Sequence, residues 1–237
     1  MKEIKEIGLE KELWLLRNEE IIEPSLLNFP ADIMGFLVEI RSLPSDRAYP
    51  VITTLYQEEL QYQLRANKFG MRLTSEPYKI ANKEFVQHIE ETYKIREFPD
   101  YTRNIYYEEK LSKMTLEYDD ANRLITDISR KSHHLGVFPE TETASPLTKE
   151  VEMYRLTAGM HVHFSSRDAV SGIVLDLPIE EIVEKMDKKF ADDIIRTKRI
   201  RGEFEMKPSH GFEYRSLPCD VDVVKVVKEA FKILRSV

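Results

Sequence analysis

Residues 4–16 read IKEIGLEKELWLL, and this stretch decides the fold. Leu9 and Leu13 occupy odd-numbered positions, whereas Glu10 and Glu12 occupy even-numbered ones. Successive side chains of a β-strand point to opposite faces, so the leucines would face one way and both glutamates the other. The stretch therefore predicts a long strand with one apolar and one acidic face.

Three further segments place two ionisable side chains on one face of a predicted strand. The pairs are Glu39 and Arg41, His161 and His163, and Glu213 and Arg215. If the four strands belong to one sheet, its polar face carries carboxylate, imidazole and guanidinium groups together. Such a face predicts bound metal ions or phosphates, because crowded carboxylates repel one another unless cations neutralise them.

Composition bounds the class of protein. The 237 residues, 42% hydrophobic and 32% charged, are typical of one globular domain over residues 1–237. The formal net charge of -7 argues against nucleic-acid binding. The apolar runs are too short for a membrane helix and the first residues lack the apolar core of a signal peptide, so a cytoplasmic protein without a membrane partner is expected. The single cysteine, Cys219, excludes an internal disulfide and a cysteine-based zinc site, and is expected to be a packing residue.

The remaining periodicity predicts an α+β fold in which helices cover the apolar face of the sheet. Strands are expected at 4–16, 36–43 and 71–74. Helices are expected at 50–67, 82–96, about 120–135, from Pro178 and from Asp222. The stretch 137–149 is expected to be a loop that could act as a lid.

Each charged pair also has a purely structural interpretation. Charged residues are common on a solvated strand face, which would account for Glu10 and Glu12. The pair Glu39 and Arg41 is typical of an exposed ion pair, which contributes about 0 to 1 kcal/mol. One histidine of His161-Val162-His163 could satisfy a buried hydrogen bond, although both imidazoles could equally bind one metal ion.

Four segments, read in order, resemble one known family. They are GLEKELWLL, GFLVEIRSLPS, RLTAGMHVHFSS and MKPSHGFEYRSLP, and they span Gly8 to Pro218. In this order they resemble the carboxylate-amine ligases related to glutamate-cysteine ligase. The similarity is greatest to the compact, phage-type branch, the COOH-NH2 ligases or amidoligases.

The resemblance implies a glutamine-synthetase-like fold, with a curved, largely antiparallel sheet that holds metal ions and ATP phosphates on its concave face. The implied metal ligands are Glu10, Glu12, Glu39, His161 and Glu213. The implied contacts to ATP are Lys207, Arg201, Arg215 and His163. Among these residues, Arg215, Glu39 and His161 are expected to take part in catalysis.

The implied activity is ATP-dependent formation of an amide bond through an acyl phosphate, with release of ADP. The expected cofactors are ATP and Mg²⁺, with Mn²⁺ as a substitute. The substrates would be a small-molecule or peptide carboxylate and an amine. Their identity does not transfer, because residues 129–142, SRKSHHLGVFPETE, depart from the Cys- and Asp-containing segment that compact relatives often carry there.

Two other classes of protein remain open at this point. A cupin-like metalloenzyme also uses His-x-His on a strand, but residues 164–168, FSSRD, lack the glutamate expected shortly downstream. A ligase-like module that has lost catalysis would bind a nucleotide or another protein. Apolar helix stripes pack equally well within and between subunits, so a homo-oligomer is also compatible with the sequence.

Overall fold

The computed structural model describes residues 3–31, 36–82, 85, 88, 137–140, 153–197, 199–207 and 210–237. In these ranges the chain has a mixed α+β fold, with a curled antiparallel sheet of seven strands, a second sheet of three strands and four α-helices. The α+β class and the largely antiparallel sheet are therefore confirmed.

The strands follow one another from β1 to β10 along the chain. They are β1 (Glu3–Arg17), β2 (Glu20–Ile21), β3 (Leu37–Arg41), β4 (Arg72–Thr74), β5 (Tyr78–Asn82), β6 (Val137–Glu140), β7 (Met153–Thr157), β8 (Gly159–Asp168), β9 (Phe204–Lys207) and β10 (Gly211–Pro218). The large sheet has the order β2-β1-β8-β10-β9, with β3 and β4 also paired to β1, and the small sheet has the order β5-β7-β6. The three strands predicted near the N-terminus correspond to β1, β3 and β4.

The expectation of a loop that begins at residue 137 is wrong. Residues Val137–Glu140 form strand β6 at the edge of the second sheet rather than the start of a loop. Val137 pairs with Leu156 of β7, and Pro139 is tolerated because an edge strand can lack a backbone donor on its free side. The rest of the predicted loop, 141–149, lies outside the described residues.

The helices pack against the apolar face of the large sheet. The helices whose bounds lie within the described ranges are α1 (Ala48–Asn67), α2 (Ile179–Lys189), α3 (Ala191–Arg196) and α4 (Val223–Arg235), and a 3₁₀ turn covers Pro24–Leu27. Val51 of α1, Met186 of α2 and Val227 of α4 are fully buried in one core with Leu9 and Leu13 of β1. No described helix combines the length and the apolar composition needed to cross a lipid bilayer.

The predicted helix starts are close to those observed. Pro178 and Asp222 are the N-caps of α2 and α4, and the Asp222 carboxylate accepts hydrogen bonds from two backbone N–H groups of the first turn of α4. Within the predicted helix 82–96 the structure describes Asn82, which ends β5, and Phe85 and His88, which are helical. The predicted helix 120–135 lies outside the described residues.

Strand β1 has two faces, as its sequence predicts. The leucines at odd positions are buried against the helices. The even face is polar at Glu10 and Glu12 and becomes apolar at Trp14, which packs in a second cluster with Cys219. Cys219 is fully buried, so its predicted packing role is confirmed. The polar face is therefore bounded by apolar side chains at one end of β1.

Candidate metal centre and its basic rim

Strand register brings the predicted site residues onto one face. Glu10 is the direct partner of His161, Glu12 is the partner of Glu39, and Glu213 is the partner of His163. Directly opposed residues of an antiparallel pair point to the same side of the sheet. Strands β3, β1, β8 and β10 thus contribute to one acidic surface, on the side away from the helices.

Three side chains at the centre of this surface could hold a metal ion. Glu10, His161 and Glu213 each offer one ligand atom, and these atoms lie within 4.8 Å of one another. Nδ1 of His161 is 2.8 Å from Oε1 of Glu213 and 3.8 Å from Oε2 of Glu10. His161 is 3% exposed and Glu213 1% exposed, so the group is almost closed to solvent. Two carboxylate oxygens and one imidazole nitrogen are a donor set that divalent cations accept.

Two more predicted ligands flank this group. Oε1 of Glu12 is 3.8 Å from Nε2 of His161, and its other oxygen accepts a hydrogen bond from the backbone N–H of Gly159. Glu39 lies opposite Glu12 on β3. Burial and the charge of Glu10 raise the pKa of Glu39, as expected where carboxylates crowd together. The acidic surface thus extends beyond the central group toward β3.

The protonation states of His161, Glu213 and Glu10 depend on one another. Burial opposes a charge on His161, and so does the guanidinium of Arg215. The carboxylates around the imidazole, Glu12 and Glu213 foremost, outweigh both and raise the pKa of His161 to about 9. Burial would raise the pKa of Glu213, but the charge and hydrogen bond of His161 hold it below its ordinary value, and the pKa of Glu10 is lowered in the same way. At neutral pH the site is therefore an imidazolium held between carboxylates.

Two predicted phosphate contacts lie beside the carboxylates. Nζ of Lys207 is 2.8 Å from Oε2 of Glu213 and 3.0 Å from Oε1 of Glu205. Nη1 of Arg215 donates a 2.7 Å hydrogen bond to Oε2 of Glu205 and lies 3.7 Å from Oε1 of Glu213. Burial lowers the pKa of each basic group, but the neighbouring carboxylates reverse the effect and raise it. Lys207 and Arg215 are therefore cations beside Glu213, at the edge of the group that could hold a metal ion.

Arg41 is a site cation that the sequence analysis assigned to an ordinary ion pair. Its Nε donates to Oε1 of Glu39 at 2.7 Å and lies 3.1 Å from Oε1 of Glu10. The ion pair is present, as expected, but it involves two of the predicted metal ligands. The opposition of Arg41 and Glu10 across β1 and β3 could not be read without the register of the two strands.

His163 approaches the same oxygen of Glu10 as Arg41 does. Its Nε2 is 3.2 Å from Oε1 of Glu10, and its Nδ1 is 3.0 Å from Nε2 of His210. The Nε2 atom is buried and makes no well-aligned hydrogen bond within the described residues. His210 was missed by the sequence analysis because it lies in the turn between β9 and β10, where no periodicity marks it.

Arg201 and Arg199 differ from the expectation. Arg201 is exposed in the turn before β9, and no hydrogen bond or ion pair in the described part of the chain joins it to the carboxylates. Its role as an ATP contact stays a prediction. Arg199 instead reaches the site: its Nη2 donates to the backbone carbonyl of Arg215 at 2.7 Å. A Cβ on Gly159 would lie 2.8 Å from that Nη2 and 3.0 Å from Nε2 of His161, so the glycine makes room for the guanidinium.

Comparison with known proteins gives no relative for this chain. No family model, no curated protein and no solved structure matches it. What the surface can do is accordingly inferred from its own chemistry: an acidic centre suited to divalent cations, bordered by arginine and lysine side chains suited to anions.

Proposed function

We propose that the protein is an ATP-dependent carboxylate-amine ligase with a glutamine-synthetase-like catalytic sheet. One observation carries the proposal: carboxylates of β1 and β10 surround His161, Glu39 of β3 lies opposite Glu12, and Lys207 and Arg215 lie beside Glu213. A metal-bound triphosphate has the complementary arrangement, with divalent cations next to anionic oxygens. Sites for phosphoryl transfer act mainly by positioning and by electrostatic stabilisation, which such a surface supplies.

The donor set fits a divalent cation. Glu10, His161 and Glu213 would hold one ion, and Glu12 and Glu39, together with the second oxygen of Glu10, would supply oxygen ligands for a second. Carboxylate oxygens favour Mg²⁺, and the imidazole nitrogen makes Mn²⁺ equally suitable. The ions would neutralise charge on the polyphosphate during transfer.

The basic side chains would bind the phosphates. Lys207 and Arg215 are both paired with Glu205, whose side chain is 28% exposed, and ion pairs of partly exposed side chains exchange partners at small cost. In the proposed reaction an oxygen of the acid substrate attacks the γ-phosphorus, and the bond from that phosphorus to ADP breaks. The amine then attacks the acyl carbon, loses a proton and expels phosphate, which leaves an amide.

The geometry favours this class over a cupin-like metalloenzyme. In the cupin-like alternative both imidazoles of His161 and His163 bind one ion. Within the described residues, the group that could hold a metal contains His161 without His163. The curled antiparallel sheet with helices on one face also supports the ligase interpretation.

The test is ATP-dependent release of phosphate with pooled acids and amines and Mg²⁺ or Mn²⁺, followed by mass analysis of the product. A product lighter than the two reactants by one water establishes the ligase reaction. Glu213→Gln should abolish turnover, because it removes a central carboxylate. Tight nucleotide binding without ADP release would instead identify a non-catalytic binding module, and failure to bind metal and nucleotide would refute both.

A further inference from the structure

Arg41 is an exposed cation above carboxylates that are largely buried. Its side chain is 65% exposed, whereas those of Glu10 and Glu39 are each 14% exposed. Its backbone N–H donates to Oε2 of Glu58 on α1 at 2.6 Å, which fixes the end of β3. The backbone is therefore held while the guanidinium can turn toward solvent.

The guanidinium occupies oxygens that a metal ion would use. It contacts Oε1 of Glu10 and Oε1 of Glu39, which come from neighbouring strands. Glu12 lies directly opposite Glu39, and opposed like charges destabilise a sheet. His161 lies 3.8 Å from both Glu10 and Glu12, but the cation in direct contact with Glu39 is the guanidinium, which carries a single charge. A divalent ion in its place would neutralise this group of three carboxylates better.

We propose that Arg41 is a resident counter-cation, which takes the place of a divalent ion between Glu10 and Glu39 and turns outward to a phosphate of the nucleotide when that ion binds. The inference rests on the proposed function. The planar fork of arginine suits phosphate oxygens, and a guanidinium that is 65% exposed can exchange one anionic partner for another. Arg41 thereby links metal entry to nucleotide capture.

If Arg41 exchanges carboxylates for a phosphate, replacing it should change the affinities for metal and for nucleotide in opposite directions. Arg41→Met removes a competitor for Glu39, so Mn²⁺ alone should bind roughly threefold to fivefold more tightly. The same variant loses a phosphate contact, so a nonhydrolysable ATP analogue with Mn²⁺ should bind roughly tenfold more weakly. Both affinities can be measured by titration calorimetry, with no need for turnover.

Arg167 provides a matched control. It lies on the same face of β8 as His161 and pairs with Glu6 at 3.7 Å, away from the carboxylate group. Arg167→Met removes the same charge, and both affinities should stay within about twofold of the wild-type values. Arg41→Lys keeps the charge without the fork, so its affinity for Mn²⁺ alone should stay closer to wild type than that of Arg41→Met.

Folding is checked by thermal unfolding in EDTA and in Mn²⁺. Without metal, Arg41→Met should melt below wild type because its carboxylates repel, and Mn²⁺ should raise its Tm more than it raises that of wild type. If the wild type binds both ligands but Arg41→Met changes neither affinity, or shifts both in one direction, the Arg41 inference fails alone. An equal change in Arg167→Met would show that losing any positive charge on this face has the same effect, and it would also overturn the Arg41 inference. A wild type that binds neither ligand refutes the proposed function and this inference together.

Discussion

Nδ1 of His161 lies 2.8 Å from Oε1 of Glu213, and both side chains are almost entirely buried. A buried ion pair is costly to break, because removing one partner leaves the other charge without compensation. The same two side chains belong to the group that could hold a metal ion. The pair therefore contributes to the stability of the metal-free protein and to its chemistry.

The pH dependence of stability should reveal this pair. The pKa of His161 is raised from 6.5 to about 9, so its contribution is complete below 6.5 and is lost as the pH rises toward 9. Glu213 has a pKa lowered from 4.5, so its contribution is complete above 4.5 and is lost as the pH falls. In EDTA the Tm should be highest between about 4.5 and 6.5 and should fall toward pH 9. His161→Asn should lack the alkaline decline, and a wild-type Tm that stays level from pH 6.5 to 9 would contradict the assignment.

Glu213→Gln should lower the free energy of unfolding by about 3 kcal/mol in EDTA, because it removes the nearest carboxylate from the buried, charged His161 and leaves Glu10 and Glu12 at 3.8 Å. Chemical denaturation measures this loss. Glu205→Gln is the control, since the Glu205 side chain is 28% exposed, and it should lose less than about 1 kcal/mol. Equal losses in the two variants would argue against a special role for the buried pair.

Gly159→Ala should weaken Mn²⁺ binding by roughly tenfold to a hundredfold, because the new methyl group would displace Arg199 and the imidazole of His161. Gly8→Ala is a matched control, because Gly8 lies on β1 on the face that carries Glu10. Its added methyl group would meet its nearest neighbours at 3.8 Å, an ordinary contact. Metal titration of both variants distinguishes the two positions, and an unchanged affinity in Gly159→Ala would show that the close approach is unimportant.

A partly buried ion pair on the opposite face of β1 should stabilise the packing of β1 on α1. Nζ of Lys11 lies 3.1 Å from the carboxylate of Glu59 on α1, and Lys11 is 6% exposed. Glu59→Ala should cost about 2 kcal/mol of unfolding free energy, because it leaves Lys11 unpaired. The double change Lys11→Met and Glu59→Leu should stay within about 1 kcal/mol of wild type. A double variant as unstable as Glu59→Ala would show that the ion pair itself is required.

The sequence was sufficient to predict the residues that lie on regular strands. Period-two alternation placed Glu10, Glu12 and His161 on polar faces, and the register then joined them. Arg199 and His210 were missed because they lie in connections, where side-chain direction depends on the packing of the whole fold. The sequence predicted that Arg41 forms an ion pair, but only the pairing of β1 with β3 shows that it lies directly opposite Glu10.

Glu10 and Glu213 also have a consequence for assembly of the fold. Glu10 belongs to the first described strand and Glu213 to the last, and both strands are neighbours of β8. The site is complete only after distant parts of the polypeptide have met, a step that is entropically demanding. An ion held by both glutamates would join β1 to β10. Greater resistance to proteases after metal is added would therefore report that β10 had docked on the sheet.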